Sequence, residues 1–333
     1  MHPLRTLLSV ALAATLSLSL TACADSAPAE GAAPAGLASA EGDTAPESAS
    51  PAVVVDNDAL PPDETPDTAA MDVPPEALAV APPESSAVLD AIFGAPDDEA
   101  AAPGEVGRRL PDGRVATFWG SQVFALDGAG MYAAFAFVAS PDASSPDDTV
   151  QLAQATWRFR DGAWQLESSA RSIGRFGGQG RAPLLDGMQD ARVHAGDGRV
   201  LLAMPTAEPA NAGVVVYAFE LLAGEGEPLA WRHVGRVPAG SDNGAGCSDV
   251  SGSPMPCAST AGTLDFIDVD AASGAAASDA RSTWPTLRLA LQGTVVTGPG
   301  EVRETTPDDV VEMRFDAASG QYQPTRPIPD AAL

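Results

Sequence analysis

Trp157-Arg158-Phe159-Arg160-Asp161-Gly162-Ala163-Trp164-Gln165-Leu166 decides the fold class. Asp-Gly tolerates the two positive φ values of a type I′ turn, the tightest link between antiparallel strands. With Asp161-Gly162 as the loop, Arg160 faces Ala163, Phe159 faces Trp164 and Trp157 faces Leu166. Both apolar pairs then share one face, and Arg158 and Gln165 share the other, as a half-buried hairpin requires.

Outward from this hairpin the chain repeats the theme. Short, β-rich apolar runs follow one another at Phe118-Trp119, Met131–Val138, Ala155–Phe159, Val200–Met204, Val214–Phe219, Leu287–Leu291 and Val310–Phe315. Turn residues separate them, the pattern of an all-β domain over 108–333. Internal matches point to tandem units. Val123-Phe124-Ala125-Leu126-Asp127-Gly128 matches Val193-His194-Ala195-Gly196-Asp197-Gly198, 70 residues on. Trp164 and Trp231 lie 67 apart, each near a strand leading to an expected Gly-rich loop, Gly174–Gly180 and Gly235–Gly244. Asp-Ala-Ala-Ser-Gly occurs at 270–274 and at 316–320, the second as a hairpin loop between Phe315 and Tyr322. We expect three units, 115–185, 186–257 and 258–333, built as an antiparallel β-sandwich or a multi-sheet domain.

Gly196-Asp197-Gly198-Arg199-Val200-Leu201-Leu202-Ala203-Met204-Pro205, followed by Gly213-Val214-Val215-Val216-Tyr217-Ala218-Phe219, resembles one blade of the FG-GAP repeats of integrin-type propellers. That resemblance implies a partial β-propeller as the alternative architecture. It covers about 25 residues, lacks the recurring Phe-Gly pair, and reduces the calcium loop to Asp197.

The N-terminus reads as an export signal over 1–22. Arg5 is its one charge, and Leu7–Leu20 is apolar apart from Ser and Thr. At about 14 residues it is shorter than the ~20 of a spanning helix. Leu20-Thr21-Ala22-Cys23 resembles the lipobox of bacterial lipoproteins. The resemblance implies cleavage before Cys23, acylation of its thiol and new amino group, and anchorage in a lipid bilayer. Ala24 at the following position resembles the sorting pattern for the outer membrane. Several acyl chains are needed, because one binds only marginally at ~0.8 kcal/mol per CH₂.

Residues 23–107 read as an acidic, Ala/Pro-rich tether. From 24 onward they hold 18 Asp and Glu, 13 Pro, one aromatic (Phe93) and no basic residue. Such a stretch buries too little apolar surface to offset chain entropy and is expected to be disordered. Its r.m.s. reach is on the order of 50 Å. Ser85–Gly94 departs from the pattern. Val88/Ile92 and Leu89/Phe93 are i,i+4 pairs, so we expect a two-turn helix with Ser85 as N-cap and Gly94 as its terminator, docked on the domain.

The 333 residues carry 45 acidic and 18 basic side chains, net −27, and every basic one is Arg. Without Lys there is no phosphate-loop lysine, Schiff-base lysine or Ser–Lys dyad. The charge argues against nucleic acid as a partner. Most of it, −18, belongs to the tether, and 27 acids against 17 Arg leave −10 on 108–333.

Cys247 and Cys257 remain once Cys23 is lipidated, and an even pair in an exported chain reads as a disulfide. Its 11-residue loop stabilises by about 2.5–3 kcal/mol in the chain-entropy view. His194 takes the place of Phe124 in the matching unit, which suits packing. His233 shows no catalytic partner in the sequence. Asp265, Asp268, Asp270 and Asp279 invite calcium, but Ala272 and Ser273 break an EF-type loop begun at Asp268, so no metal site is assigned. Asp308-Asp309 after Pro307 reads as a solvated turn. Gly177-Gly178-Gln179-Gly180 is no dinucleotide motif, and no cofactor is expected.

Three functions stay open: an envelope β-domain that binds a protein or glycan partner, an envelope hydrolase using an unrecognised Asp/Glu pair, and a calcium-stabilised adhesion module. The first is favoured, and the loops Arg171–Arg181 and Pro238–Cys257 are its leading candidates. Thiol titration of the unreduced full chain should find neither Cys247 nor Cys257 reactive. Two reactive thiols there would end the disulfide assignment.

Overall fold

The computed structural model describes residues 73–95, 107–140, 142–143, 145, 147–210, 213–248, 255–268 and 284–332. Cys23, the export signal, most of the acidic stretch, Asp270 and Asp279 lie outside the described residues.

The deciding hairpin forms in the register read from the sequence. Asp161 and Gly162 adopt φ of 53° and 77°. Arg160 pairs with Ala163, Phe159 with Trp164, Arg158 with Gln165 and Trp157 with Leu166. One feature differs: Trp157 is buried but Leu166 is 50% exposed. Leu166 lies on an edge strand, which has no outer neighbour to cover it.

Among the described residues, fifteen strands form three antiparallel sheets in chain order. The first holds β1 (Gly107–Arg109), β2 (Val115–Leu126), β3 (Ala129–Ala139), β4 (Val150–Arg160) and β5 (Ala163–Phe176). The second holds β6 (Leu184–Leu185), β7 (Arg192–Gly196), β8 (Arg199–Pro209), β9 (Val215–Glu225) and β10 (Ala230–Asp242). The third holds β11 (Thr260–Ile267), β12 (Thr286–Gly298), β13 (Glu301–Glu304), β14 (Val310–Asp316) and β15 (Gln321–Pro324). The protein is therefore all-β, with three tandem meanders rather than the two sheets of a simple sandwich. The expected units match these sheets apart from β1 and β6.

The sheets stack as layers, and the period of two along each strand shows how. In the second sheet Val200, Leu202, Leu222 and Trp231 pack on Phe124, Met131, Phe135 and Leu152 of the first. The intervening Leu201, Ala203, Phe219 and Leu221 pack on Leu264, Leu287, Leu289 and Met313 of the third. The second sheet thus has two buried faces, and the continuous run Val200–Met204 is what such a strand requires. In β11 of the third sheet buried and exposed residues alternate, with Thr263 and Asp265 outward.

The internal repeats have structural counterparts. Asp127-Gly128 and Asp197-Gly198 both take positive φ, at the β2–β3 and β7–β8 turns. Trp164, Trp231 and Tyr322 are each the second residue of the last strand in their sheet. Each faces the preceding layer and donates a hydrogen bond: Trp164 to the Val80 carbonyl (3.1 Å), Trp231 to Thr156 Oγ1 (2.8 Å) and Tyr322 to the Pro285 carbonyl (2.9 Å). Buried Trp and Tyr need such partners.

Within the stretch read as a tether, the helix expected at Ser85–Gly94 forms and docks on the domain, whereas residues 73–84, expected to be disordered, are ordered beside it. Residues 73–95 form α1 (Pro75–Leu78) and α2 (Ser85–Phe93) and cover the outer face of the first sheet. Val88, Leu89 and Ile92 of α2 and Ala77 of α1 are buried. Glu84, not Ser85, is the N-cap, with no side-chain capping bond. Gly94 ends the helix at φ 91°.

The Gly-rich stretch Gly235–Gly244 is not a loop as expected. It continues β10 as far as Asp242, with bulges at His233/Gly235 and Pro238/Gly240. Gly240 has φ 116°, and a Cβ there would overlap the Thr260 carbonyl of the third sheet. The glycine lets the second and third sheets meet backbone to backbone. Gly240→Ala should lower stability by about 1–3 kcal/mol, and Trp231→Ala by about 3–5 kcal/mol. Urea midpoints of the full chain with unchanged m-values check both.

Candidate functional site

A cleft of about 720 Å³ opens where the first sheet hands over to the second. The loop after β5 forms one wall. Gly177, Gln179 and Gly180 take positive φ, and paired backbone bonds between Gly178 and Arg181 close the turn at 3.2 and 2.9 Å. Trp119 Nε1 donates to the Pro183 carbonyl at 2.8 Å and fixes the next residues, so Leu184 stands 62% exposed at the rim. The opposite wall comes from the end of β8 and the starts and ends of β9 and β10: Glu208, Tyr217, Arg236 and Pro238. Of the two stretches expected to be loops, Arg171–Phe176 lies in β5 and Pro238–Asp242 in β10; Gly177–Arg181 from the loop after β5 and Pro238 from β10 meet at this cleft. The rest of Pro238–Cys257 does not line it. Cys247 and Cys257 are disulfide-bonded, as expected.

A charged chain runs from the cleft into the interior. Arg236 Nη2 lies 2.7 Å from Glu208 Oε2, and its Nε lies 3.6 Å from Glu220 Oε1. Glu220 is 1% exposed, and its Oε2 lies 2.8 Å from His233 Nε2. Glu220 Oε1 has no hydrogen bond of its own. His233 therefore has a partner that the linear sequence hid. The β9–β10 register, with Glu220 opposite Arg236, is the signal that would have revealed it. At the mouth Arg181 is exposed and pairs with no carboxylate among the described residues. Burial, then the negative charges of Asp242 and Asp186, push the Tyr217 hydroxyl above its ordinary pKa. It stays a neutral donor at physiological pH.

The cleft therefore offers a guanidinium, a phenol and apolar surface from Pro183, Leu184 and Val216. Its one lining carboxylate, Glu208, is held by Arg236. Glycosidic hydrolysis of the usual kind needs two carboxyl groups facing a substrate; among the described residues Glu208 is the one carboxylate in this lining. A second cleft, about 580 Å³, lies at the opposite end of β8 and is lined by the matched turns at Asp127 and Asp197 with Glu225 and Glu227. Arg158 reaches into it, 3.3 Å from Glu227 and 2.9 Å from Glu167.

The other singled-out residues fall elsewhere. His194 packs against Phe266, ring centroids 5.5 Å apart, and lies 3.4 Å from Asp268 Oδ1. Asp265 points outward from β11. No group of three or more His, Cys, Asp or Glu able to hold a metal ion occurs among the described residues.

Asp309 is not in a solvated turn: it is 5% exposed. Arg303 grips it bidentately, both bonds 2.7 Å, and the Thr306 N–H and hydroxyl donate at 2.7 and 3.0 Å. The turn folds back so that the carboxylate caps its own backbone. Asp308 remains exposed, as expected.

No family model, curated protein or solved structure matches the chain.

The Arg303 guanidinium and the Thr306 N–H hold the Asp309 carboxyl well below the usual range. Its contribution to stability is present above the unfolded carboxylate pKa, about 3.9, and is lost as pH falls through the folded value. Asp309→Asn should cost about 1–3 kcal/mol at pH 7 and less as the pH is lowered toward 2. Urea titrations across that range check it; a penalty that does not shrink in acid would contradict the assignment.

Proposed function

We propose that this is a lipid-anchored protein of the bacterial cell envelope whose β-domain binds a partner through the cleft between its first two sheets. The observation that carries the reading is the convergence of the Gly177–Arg181 loop and of Arg236 and Pro238 on strand β10, some 60 residues apart, on one cavity. Its lining combines apolar surface with unspent hydrogen-bonding groups, the usual composition of a recognition site. The partner is an envelope protein or glycan.

The lipobox-like Leu20-Thr21-Ala22-Cys23 supports attachment through acylated Cys23, most consistent with the outer membrane. The acidic stretch after it supports display away from the bilayer, since anionic lipid repels it.

Cells expressing the full chain should incorporate labelled palmitate, and Cys23→Ser should abolish the label. Cross-linking in intact envelopes should capture a partner whose yield falls at least tenfold in Arg181→Glu, the scale expected for loss of a binding hot spot. Undiminished capture by that variant would remove the cleft from the reading, and palmitate retained without Cys23 would remove the anchor.

A further inference from the structure

One guanidinium in the cleft is held in two unequal ways. On its outer side, Arg236 Nη2 lies 2.7 Å from Glu208 Oε2, and the two side chains are 33% and 31% exposed. An ion pair so open to water is weak and readily exchanged. On its inner side, Arg236 Nε lies 3.6 Å from Glu220 Oε1. Glu220 is 1% exposed, and its other oxygen lies 2.8 Å from His233 Nε2. The β9–β10 register sets Glu220 directly opposite Arg236. Arg236 is therefore anchored from below by a carboxylate that cannot leave, and closed above by one that can.

The outer partner shows what the site accepts. A guanidinium offers parallel donors that match the two oxygens of a carboxylate. Glu208 fills that place with a carboxylate from the chain itself. Across the cleft stands Arg181, exposed and paired with no carboxylate among the described residues. Two guanidinium groups thus face one cavity whose single lining carboxylate sits on a pliable rim side chain.

The rest of the lining narrows the ligand further. Pro183, Leu184, Val216 and Pro238 are aliphatic, and Tyr217 is the one aromatic ring among the described lining residues. A sugar would find a single ring to stack on, whereas aliphatic side chains find most of the wall. Around Tyr217 the charges of Asp242 and Asp186 disfavour an anion, so a ligand's carboxylate belongs at the guanidinium groups.

We propose that the cleft recognises a peptide carboxylate flanked by aliphatic side chains, received by Arg236 and Arg181, and that Glu208 is a built-in stand-in displaced on binding. Glu208 then works as a filter. It lowers the affinity for every anion by the fraction of time it occupies Arg236, and only a ligand that also fills the aliphatic wall repays its displacement. The inference rests on the reading of this cleft as the binding site and does not depend on the lipid anchor.

Calorimetric titration of the full chain tests it with four probes. These are acetyl-Ala-Val-Leu with a free carboxylate, the same peptide as its amide, acetyl-Ala-Val-Glu-Leu amide, and trigalacturonate. At least one carboxylate peptide should bind at least tenfold tighter than the neutral amide, the scale of a lost hot spot. Which of the two does so tells whether a chain end or an acidic side chain is read. Glu208→Gln should tighten that binding about two- to fivefold and leave the amide unchanged, and Arg181→Gln should weaken it. Both substitutions are at the cleft rim and should leave the urea midpoint unchanged. No binding of either carboxylate peptide, equal binding of the neutral amide, tighter binding of trigalacturonate, or weaker carboxylate binding by Glu208→Gln would each overturn the inference. None of these results touches the capture experiment with Arg181→Glu, which judges the cleft itself.

Discussion

Everything else in this protein depends on a sheet that has no side facing water. The second sheet is apolar on both faces, and its neighbours are fixed by what it must cover: Trp231 and Leu222 toward the first sheet, Phe219 and Leu221 toward the third. A layer so placed gains the hydrophobic term twice but has to satisfy every polar group it carries inward. It does so locally. Thr206 donates to the Ala218 carbonyl at 3.1 Å, and Trp231 meets Thr156, which in turn reaches Gln154 at 3.0 Å. Glu220 is the exception, a buried carboxylate shared between His233 and Arg236 at the margin of the layer.

Turn chemistry made the strands legible. Asp161-Gly162 dictated register because a type I′ turn leaves one choice, and the Asp-Gly pairs at 127–128 and 197–198 marked equivalent corners. Aromatic spacing was legible too, since Trp164 and Trp231 occupy the same place in successive sheets. Residues that act across the layers were not. His233 and Glu220 are 13 apart and meet only once β9 and β10 pair. Gly235–Gly244 resembled a loop because bulged strands and loops both call for glycine. Asp309 resembled its exposed neighbour Asp308, and nothing local said that Arg303 would close over it. The cleft was foreshadowed by its loops but not by its walls, which come from strand ends far apart in sequence.

The acidic composition of residues 23–107 concealed a division of labour. Val88, Leu89 and Ile92 sit inside a segment whose average says disorder, and three apolar side chains suffice to tie it down where a floor of alanines exists. The alanines matter because they carry no bulk; a helix axis approaches a sheet closely only over small side chains.

Layering in strict chain order has a consequence for synthesis. As the chain emerges, the first sheet is complete before the second exists, and its inner face of Phe124, Met131, Phe135 and Leu152 has nothing to cover it. The second sheet meets the same exposure until the third arrives. Each intermediate is thus a finished layer with one oily side, the kind of species that aggregates during folding. The 3₁₀ turn Asp330–Ala332 then tucks Ala331 and Ala332 under the second and third sheets, so a product truncated before it would leave that seam unsealed.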